Sequence, residues 1–180
     1  MTDLDAVKIV FAGPVGAGKT TAIRSVSDMP PVSTEVPLLE DVDGDKTTTT
    51  VALDFSTLLL DDGTVVQLYG LPGQEHFGFM RAIVLSGAIG AVLVLNGADE
   101  QVAEHCREWL ASLNEVAAGI PIVVGITRTD IAPAFDLGEV RAVLRAADMV
   151  TPVMTFDARE SAQTGQVLRS LLAVALADAC

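Results

Sequence analysis

Across 180 residues the chain is half apolar and 19% charged, and its acidic side chains outnumber the basic ones to a net charge of −13. Such a composition excludes intrinsic disorder and a surface built to bind a phosphate backbone, so no nucleic-acid partner is expected. No apolar run reaches the roughly 18–20 residues of a membrane span, and neither a leader, a myristoylation start nor a prenylation box is read at the ends, so no lipid anchor is expected.

Val7 to Ala12 (VKIVFA) predicts a buried strand that stops at Gly13, and a helix follows from about Gly18 to Asp28. Met29-Pro-Pro breaks it, and a polar, Pro-containing stretch read as a loop leads to the run TTTT. Val51 to Leu60 and Thr64 to Tyr69 flank Asp61-Asp62-Gly63 and predict a hairpin, which adds one antiparallel edge strand. A helix from about Phe77 to Leu85 precedes an apolar strand at 88–96.

Asp99 to Ala117 predicts a helix with Val102, Cys106, Trp109 and Leu113 facing the core, and Ile120 to Ile126 a strand. Helix 136–146, strand 150–156 and helix 161–179 complete the chain, the last with Val167, Leu168, Leu171, Leu172 and Val174 apolar. Strands apolar on both faces that alternate with helices describe an α/β sheet sandwiched by helices, in a single domain over 1–180. Two cysteines, Cys106 and Cys180, cannot make a disulfide framework, so a reducing cytoplasm is the expected compartment.

GPVGAGKT, from Gly13 through Pro14, Val15, Gly16, Ala17, Gly18 and Lys19 to Thr20, fits G-x-x-x-x-G-K-[ST] between a predicted strand and helix. Glycines let successive amides turn inward around phosphate oxygens, and the helix N-terminus adds its positive dipole end. Lys19 would reach the β- and γ-phosphates, the Thr20 hydroxyl would ligate Mg²⁺, and Thr21 follows on the same turn. The stretch GITRTD sits at a strand end, where open α/β sheets bind ligands. A carboxylate there accepts from N1–H and N2 of guanine, a pair that adenine lacks. Asp130 is the candidate reader; the alternative is a loop or capping aspartate.

The order of GPVGAGKT, a threonine before TVALDF, GLPGQE, TRTD and FDAR resembles the small GTPases of the Ras superfamily over essentially the whole chain. KTTTTVALDF with a strand ending in GLPGQ resembles a bacterial branch that includes the gliding-motility polarity GTPase and GTPases paired with roadblock-domain proteins. The resemblance implies a P-loop NTPase fold with a six-stranded, mostly parallel sheet and five helices. It also implies bound GTP or GDP with Mg²⁺, two switch segments, and a roadblock-domain protein or another regulator or effector as partner.

By position, Thr50 matches the threonine that ligates Mg²⁺ and contacts the γ-phosphate, with Thr47, Thr48 and Thr49 as neighbouring registers. Gln74 matches the glutamine that orients attacking water, and the Gly73 amide would hold the γ-phosphate. Ala158 matches the loop whose amide contacts guanine O6. Arg159 either lies over the base or is exposed and solvated. Thr127 and Arg128 occupy places usually filled by Asn and Lys, and arginine stacks on a base much as lysine does.

Two departures stand out. Gly70 fills the slot where relatives carry a Mg²⁺-holding aspartate, which implies a weaker outer metal shell that Gly70→Asp would restore. Val15 replaces a glycine packed near the γ-phosphate and either slows hydrolysis or is accommodated by a reshaped loop. No arginine lies between Arg24 and Arg81, and Arg81 is expected to face solvent or a partner. His76 reads as an exposed switch residue, His105 and Cys106 as packing or solvent contacts, and Trp109 as core. The expected function is a slow regulatory GTPase; a binding module with negligible hydrolysis and a small-molecule kinase are the alternatives.

Overall fold

The computed structural model describes residues 6–42, 45–74 and 78–178. Strands β1 (Val7–Ala12), β2 (Val32–Val42), β3 (Asp45–Leu59), β4 (Val65–Gly70), β5 (Gly90–Asn96), β6 (Ile122–Thr127) and β7 (Val153–Thr155) form one sheet. Their order is β2-β3-β4-β1-β5-β6-β7. The helices are α1 (Lys19–Val26), α2 (Gly78–Leu85), α3 (Val102–Val116), α4 (Leu137–Ala146) and α5 (Ser161–Asp178), with a short 3₁₀ turn at Thr129–Ile131. Among the described residues no helix is long and apolar enough to cross a membrane.

The expected α/β P-loop architecture holds, mostly parallel with one antiparallel strand and five helices, and the six expected strands are all present. One correction concerns a seventh strand. Residues 32–42, read as loop, pair antiparallel with β3 from Val32↔Phe55 to Val42↔Asp45. The loop reading rested on Pro30, Pro31 and Pro37, but β2 is the sheet edge, where a missing amide donor is tolerated. β3 therefore starts at Asp45 rather than Val51, and the antiparallel strand lies one in from the edge.

Alternation along the central strands divides the core. Val10, Ala12, Leu93 and Leu95 pack with residues of α2, α3 and α4, including Trp109. Ile9, Phe11, Val92 and Val94 face α1 and α5, including Ile23 and Leu171. Period-2 side chains buried on both faces are what a parallel sheet between two helical layers requires. Because β1, β4, β6 and β7 run the same way, the loops at 13–18, 71–74, 128–131 and 156–159 all leave one edge of the sheet. That edge carries the site.

Candidate functional site

At the end of β1 the chain turns with Gly13 at φ 139°, Gly16 at 75° and Gly18 at 107°, values that an L side chain rarely adopts. At Gly13 space forbids one too: an ideal Cβ would lie 2.0 Å from the Val94 carbonyl oxygen. The loop closes back on α1, whose first turn has no side-chain cap and no acidic residue, so its leading amides remain available to an anion.

Lys19, the first residue of α1, is only 9% exposed and donates to the carbonyls of Gly13 and Pro14, each at 2.7 Å. Burial pulls its pKa down to about 8, against the opposing pull of the Asp54 charge. A cation held this way is short of negative charge, and a phosphate would supply it.

Thr20 donates its hydroxyl hydrogen to Asp54 Oδ2. Asp54 is the residue that sequence reasoning missed. It pairs in register with Gly70 across β3 and β4. A Cβ on Gly70 would meet Asp54 Cβ at 3.0 Å, Ile23 Cδ1 at 3.1 Å and Asp54 Oδ2 at 3.3 Å. A carboxylate on the neighbouring strand thus borders the space that the glycine leaves open. The usable signal was an acidic residue in TVALDF, a strand otherwise apolar or hydroxylic.

Across the same edge, Gly18, Thr21, Thr127, Arg128, Asp130, Ile131, Asp157, Ala158 and Arg159 line a cavity of about 280 Å³. Arg128 sits in the left-handed region at φ 58°, which turns the chain sharply out of β6 into the turn bearing Asp130. Thr127 is 3% exposed, and its hydroxyl lies 2.7 Å from the Ala17 carbonyl and 3.2 Å from that of Leu95. It ties the β6 end to the phosphate loop. Arg159 forks onto Asp157 at 2.6–3.2 Å. Hydrogen bonds from Arg159 hold the Asp157 carboxyl down at about 2.

Other expected residues are placed differently. Gly73 lies directly on the loop, since its ideal Cβ would be 2.3 Å from Val15 N. Val15 is 66% exposed, and Gln74 is exposed. Thr50 pairs with Pro37 on the β2–β3 hairpin, four residues before Asp54. At strand rise that is about 13 Å of backbone, so this arrangement does not bring Thr50 to Thr20. His76 falls outside the described residues. Trp109 is core, as expected, and Cys106 is fully buried with its thiol pushed up to about 11 by desolvation. Arg81, expected to face solvent or a partner, is half-buried, with its guanidinium 4.2 Å from the centroid of the Trp109 ring.

The profile described as "Ras family" matches residues 8–176. The "Uncharacterized protein MJ1339" of Methanocaldococcus jannaschii is 30% identical over 127 residues, 71% of this chain and 73% of that protein. The "Mutual gliding-motility protein MglA" of Myxococcus xanthus is 29% identical over 147 residues, 76% of this chain and 74% of MglA. The "GTP-binding protein ypt4" of Schizosaccharomyces pombe is 26% identical over 133 residues, 69% of this chain but only 52% of its own length.

Thr127→Val keeps shape and removes the hydroxyl, leaving the Ala17 carbonyl short of its donor. A buried group so orphaned costs about 1–3 kcal/mol. Urea titration should show a lower midpoint with an unchanged slope, and Thr127→Ser should recover most of the loss.

Proposed function

Since the chain belongs to the Ras family, we propose that it is a switch protein that binds GTP and GDP with Mg²⁺, hydrolyses GTP slowly and signals through a GTP-dependent partner. The observation that carries this reading is the cavity shared by Asp130, Ala158 and the phosphate-loop residues Gly18 and Thr21. Base and phosphate determinants converge there on the start of one helix. The Asp130 carboxylate accepts from guanine N1–H and N2, the Ala158 amide donates to O6, and Arg128 and Arg159 flank the ring. Lys19 and the amides from Val15 to Thr20 take the phosphates.

The residues present suit Mg²⁺, which prefers hard oxygen donors: the Thr20 hydroxyl and the Asp54 carboxylate already meet. Those two would hold the ion, which when bound neutralises charge on the β- and γ-phosphate oxygens. Thr50 joins them only after the hairpin moves. In hydrolysis, water attacks the γ-phosphorus and GDP leaves; Gln74 orients that water, and the Gly73 amide holds the phosphoryl oxygen. A roadblock-domain regulator is the partner class that the bacterial branch implies. Negligible hydrolysis, the second reading, is favoured by Val15, whose side chain is exposed and whose backbone lies against Gly73.

Three outcomes test the reading. In competition with a fluorescent nucleotide, GTP should displace the probe far better than ATP. Asp130→Asn should weaken GTP by about 1–3 kcal/mol and improve xanthosine nucleotides, which present an acceptor where guanine presents a donor. Equal affinity for ATP and GTP would sink the assignment.

For the metal, Asp54→Asn should speed nucleotide release and flatten its Mg²⁺ dependence. Gly70→Asp should not slow release, because the new carboxylate would crowd Asp54 and Ile23; slower release in Gly70→Asp would return the role to position 70. For turnover, single-turnover phosphate release by the isolated protein should run near 10⁻⁴ s⁻¹, the order of a small GTPase without a built-in arginine. Val15→Gly should run faster, and fast release by the wild type would contradict the slow-switch reading.

A further inference from the structure

Beside the base cavity lies a larger one of about 380 Å³, between the loop from β5 into α3 and the loop from β6 into α4. Val102, Ile131, Pro133, Ala134 and Phe135 make its apolar wall. Val102 is buried and Phe135 packs on the core, but Ile131 is 65% exposed, and Pro133 and Ala134 are exposed. Every charged residue of the lining is acidic: Asp99, Glu100, Asp136 and Glu139. Two of these carboxylates are engaged within the protein. Asp99 accepts from the Gln101 amide at 2.9 Å and lies 2.8 Å from His105 Nδ1, and Asp136 accepts from the Gly138 amide at 2.7 Å. Glu100 and Glu139 are exposed.

Helix ends account for the acids, since Asp136 and Glu139 begin α4 and Asp99 and Glu100 precede α3, where negative charge is favoured. They do not account for the apolar side chains left in water between them. In a docking site an apolar floor supplies the burial, and a ring of one sign of charge focuses its field on an oppositely charged group. Four carboxylates and no cation in the lining make the complementary occupant basic. The groove is also tied to the base site, because Ile131 lines both cavities. The Gly97 amide donates to the Thr127 carbonyl at 2.8 Å, and a Cβ on Gly97 would lie 2.9 Å from Thr129 Cγ2. The groove wall and the turn that carries Asp130 therefore pack as one unit.

We propose that this groove docks a basic segment of a partner protein, an apolar side chain flanked by Lys or Arg, and that its occupation slows release of the guanine nucleotide. The apolar side chain seats against Ile131, Pro133 and Ala134, and the flanking cations pair with Glu100 and Glu139. Groove and base cavity exist together in one arrangement of the two loops, so a partner that binds the groove favours the arrangement that holds the base. The coupling is reciprocal: nucleotide tightens the partner by the factor by which the partner tightens nucleotide. The effect on release rests on the guanine-nucleotide reading of the site; the docking itself does not.

The probe is a labelled synthetic peptide, Lys-Arg-Leu-Leu-Arg-Lys with blocked ends, compared with Glu-Glu-Leu-Leu-Glu-Glu and with spermine, which carries charge but no apolar side chain. Fluorescence polarisation measures its binding, with and without GDP, to the wild type, to Glu100→Gln with Glu139→Gln, to Ala134→Arg, and to a control, Glu115→Gln with Asp148→Asn. The control removes two exposed charges elsewhere, which separates the groove from the overall charge of −13. The groove pair of substitutions should weaken the peptide about three- to tenfold, the range of two exposed ion pairs. Ala134→Arg, which fills the floor and opposes the charge, should weaken it at least as much, and the control should leave it unchanged. Saturating peptide should slow release of a fluorescent GDP from the wild type about fivefold, the low end of coupling between two sites, and should have no effect on Ala134→Arg. Equal losses in control and groove variants overturn the proposal, as does equal binding of the acidic peptide or displacement of the peptide by an equal concentration of spermine. Release that is unchanged or faster with peptide bound overturns it too. If Ala134→Arg fails to fold, the Gln pair decides. A wild type that holds the peptide at the groove but binds no guanine nucleotide overturns the nucleotide reading and leaves the docking surface supported.

Discussion

A buried ammonium group governs the phosphate end of the molecule. Lys19 is almost wholly removed from water, bonded to two loop carbonyls and drawn toward Asp54. Carbonyl dipoles offset part of the desolvation of a charge but do not neutralise it. The loop must therefore curl around Lys19 for its carbonyls to reach inward, and the curl forces the positive φ values of Gly13, Gly16 and Gly18. The same turn leaves the leading amides of α1 unpaired. Buried charge and uncapped helix end share one solution, an anion at that spot.

The electrostatic partner of that cation arrives by an unexpected strand. In-register antiparallel pairing sets Asp54 opposite Gly70, and the absence of a side chain at 70 leaves the carboxylate room to meet Thr20. The two positions are complementary, since a side chain at either one fills the same volume. One consequence concerns the hairpin. Asp54 and Thr50 share β3, a strand that is antiparallel to both neighbours and ties the edge strand to the site. The carboxylate thus sits on β3, the strand that continues into the threonine run, and not on β4. Any shift of β3 along β4 moves charge at the phosphate end as well as the threonines beyond it.

Much of this was legible in the chain. Strand-loop-helix context made GPVGAGKT a phosphate loop, and GITRTD at a strand end placed Asp130 in a cavity with Ala158. Both placements are seen in the structure because their determinants are local: a few consecutive residues fix their own backbone. The misses share the opposite property. β2 was hidden because pairing to β3, not composition, makes residues 32–42 a strand, and prolines tolerable at an edge read as breakers. Asp54 was hidden because its role depends on which residue lies across the ladder, a register that one strand cannot reveal. For Arg81 the reading was solvent or a partner, and its contact with Trp109 was not legible because it depends on how α2 meets α3.

Val15 illustrates how one substitution acquires two roles from one contact. Its side chain points out, 66% exposed, while its backbone nitrogen lies under Gly73. Glycine at 15 would leave the approach to the phosphate end open. On the proposed reading a branched side chain at 15 narrows the volume that an attacking water, Gln74 or a partner's arginine would share. The backbone contact of residue 15 with Gly73 is there whatever side chain residue 15 carries. Val15→Gly therefore removes the bulk and leaves the contact, which makes the two effects separable.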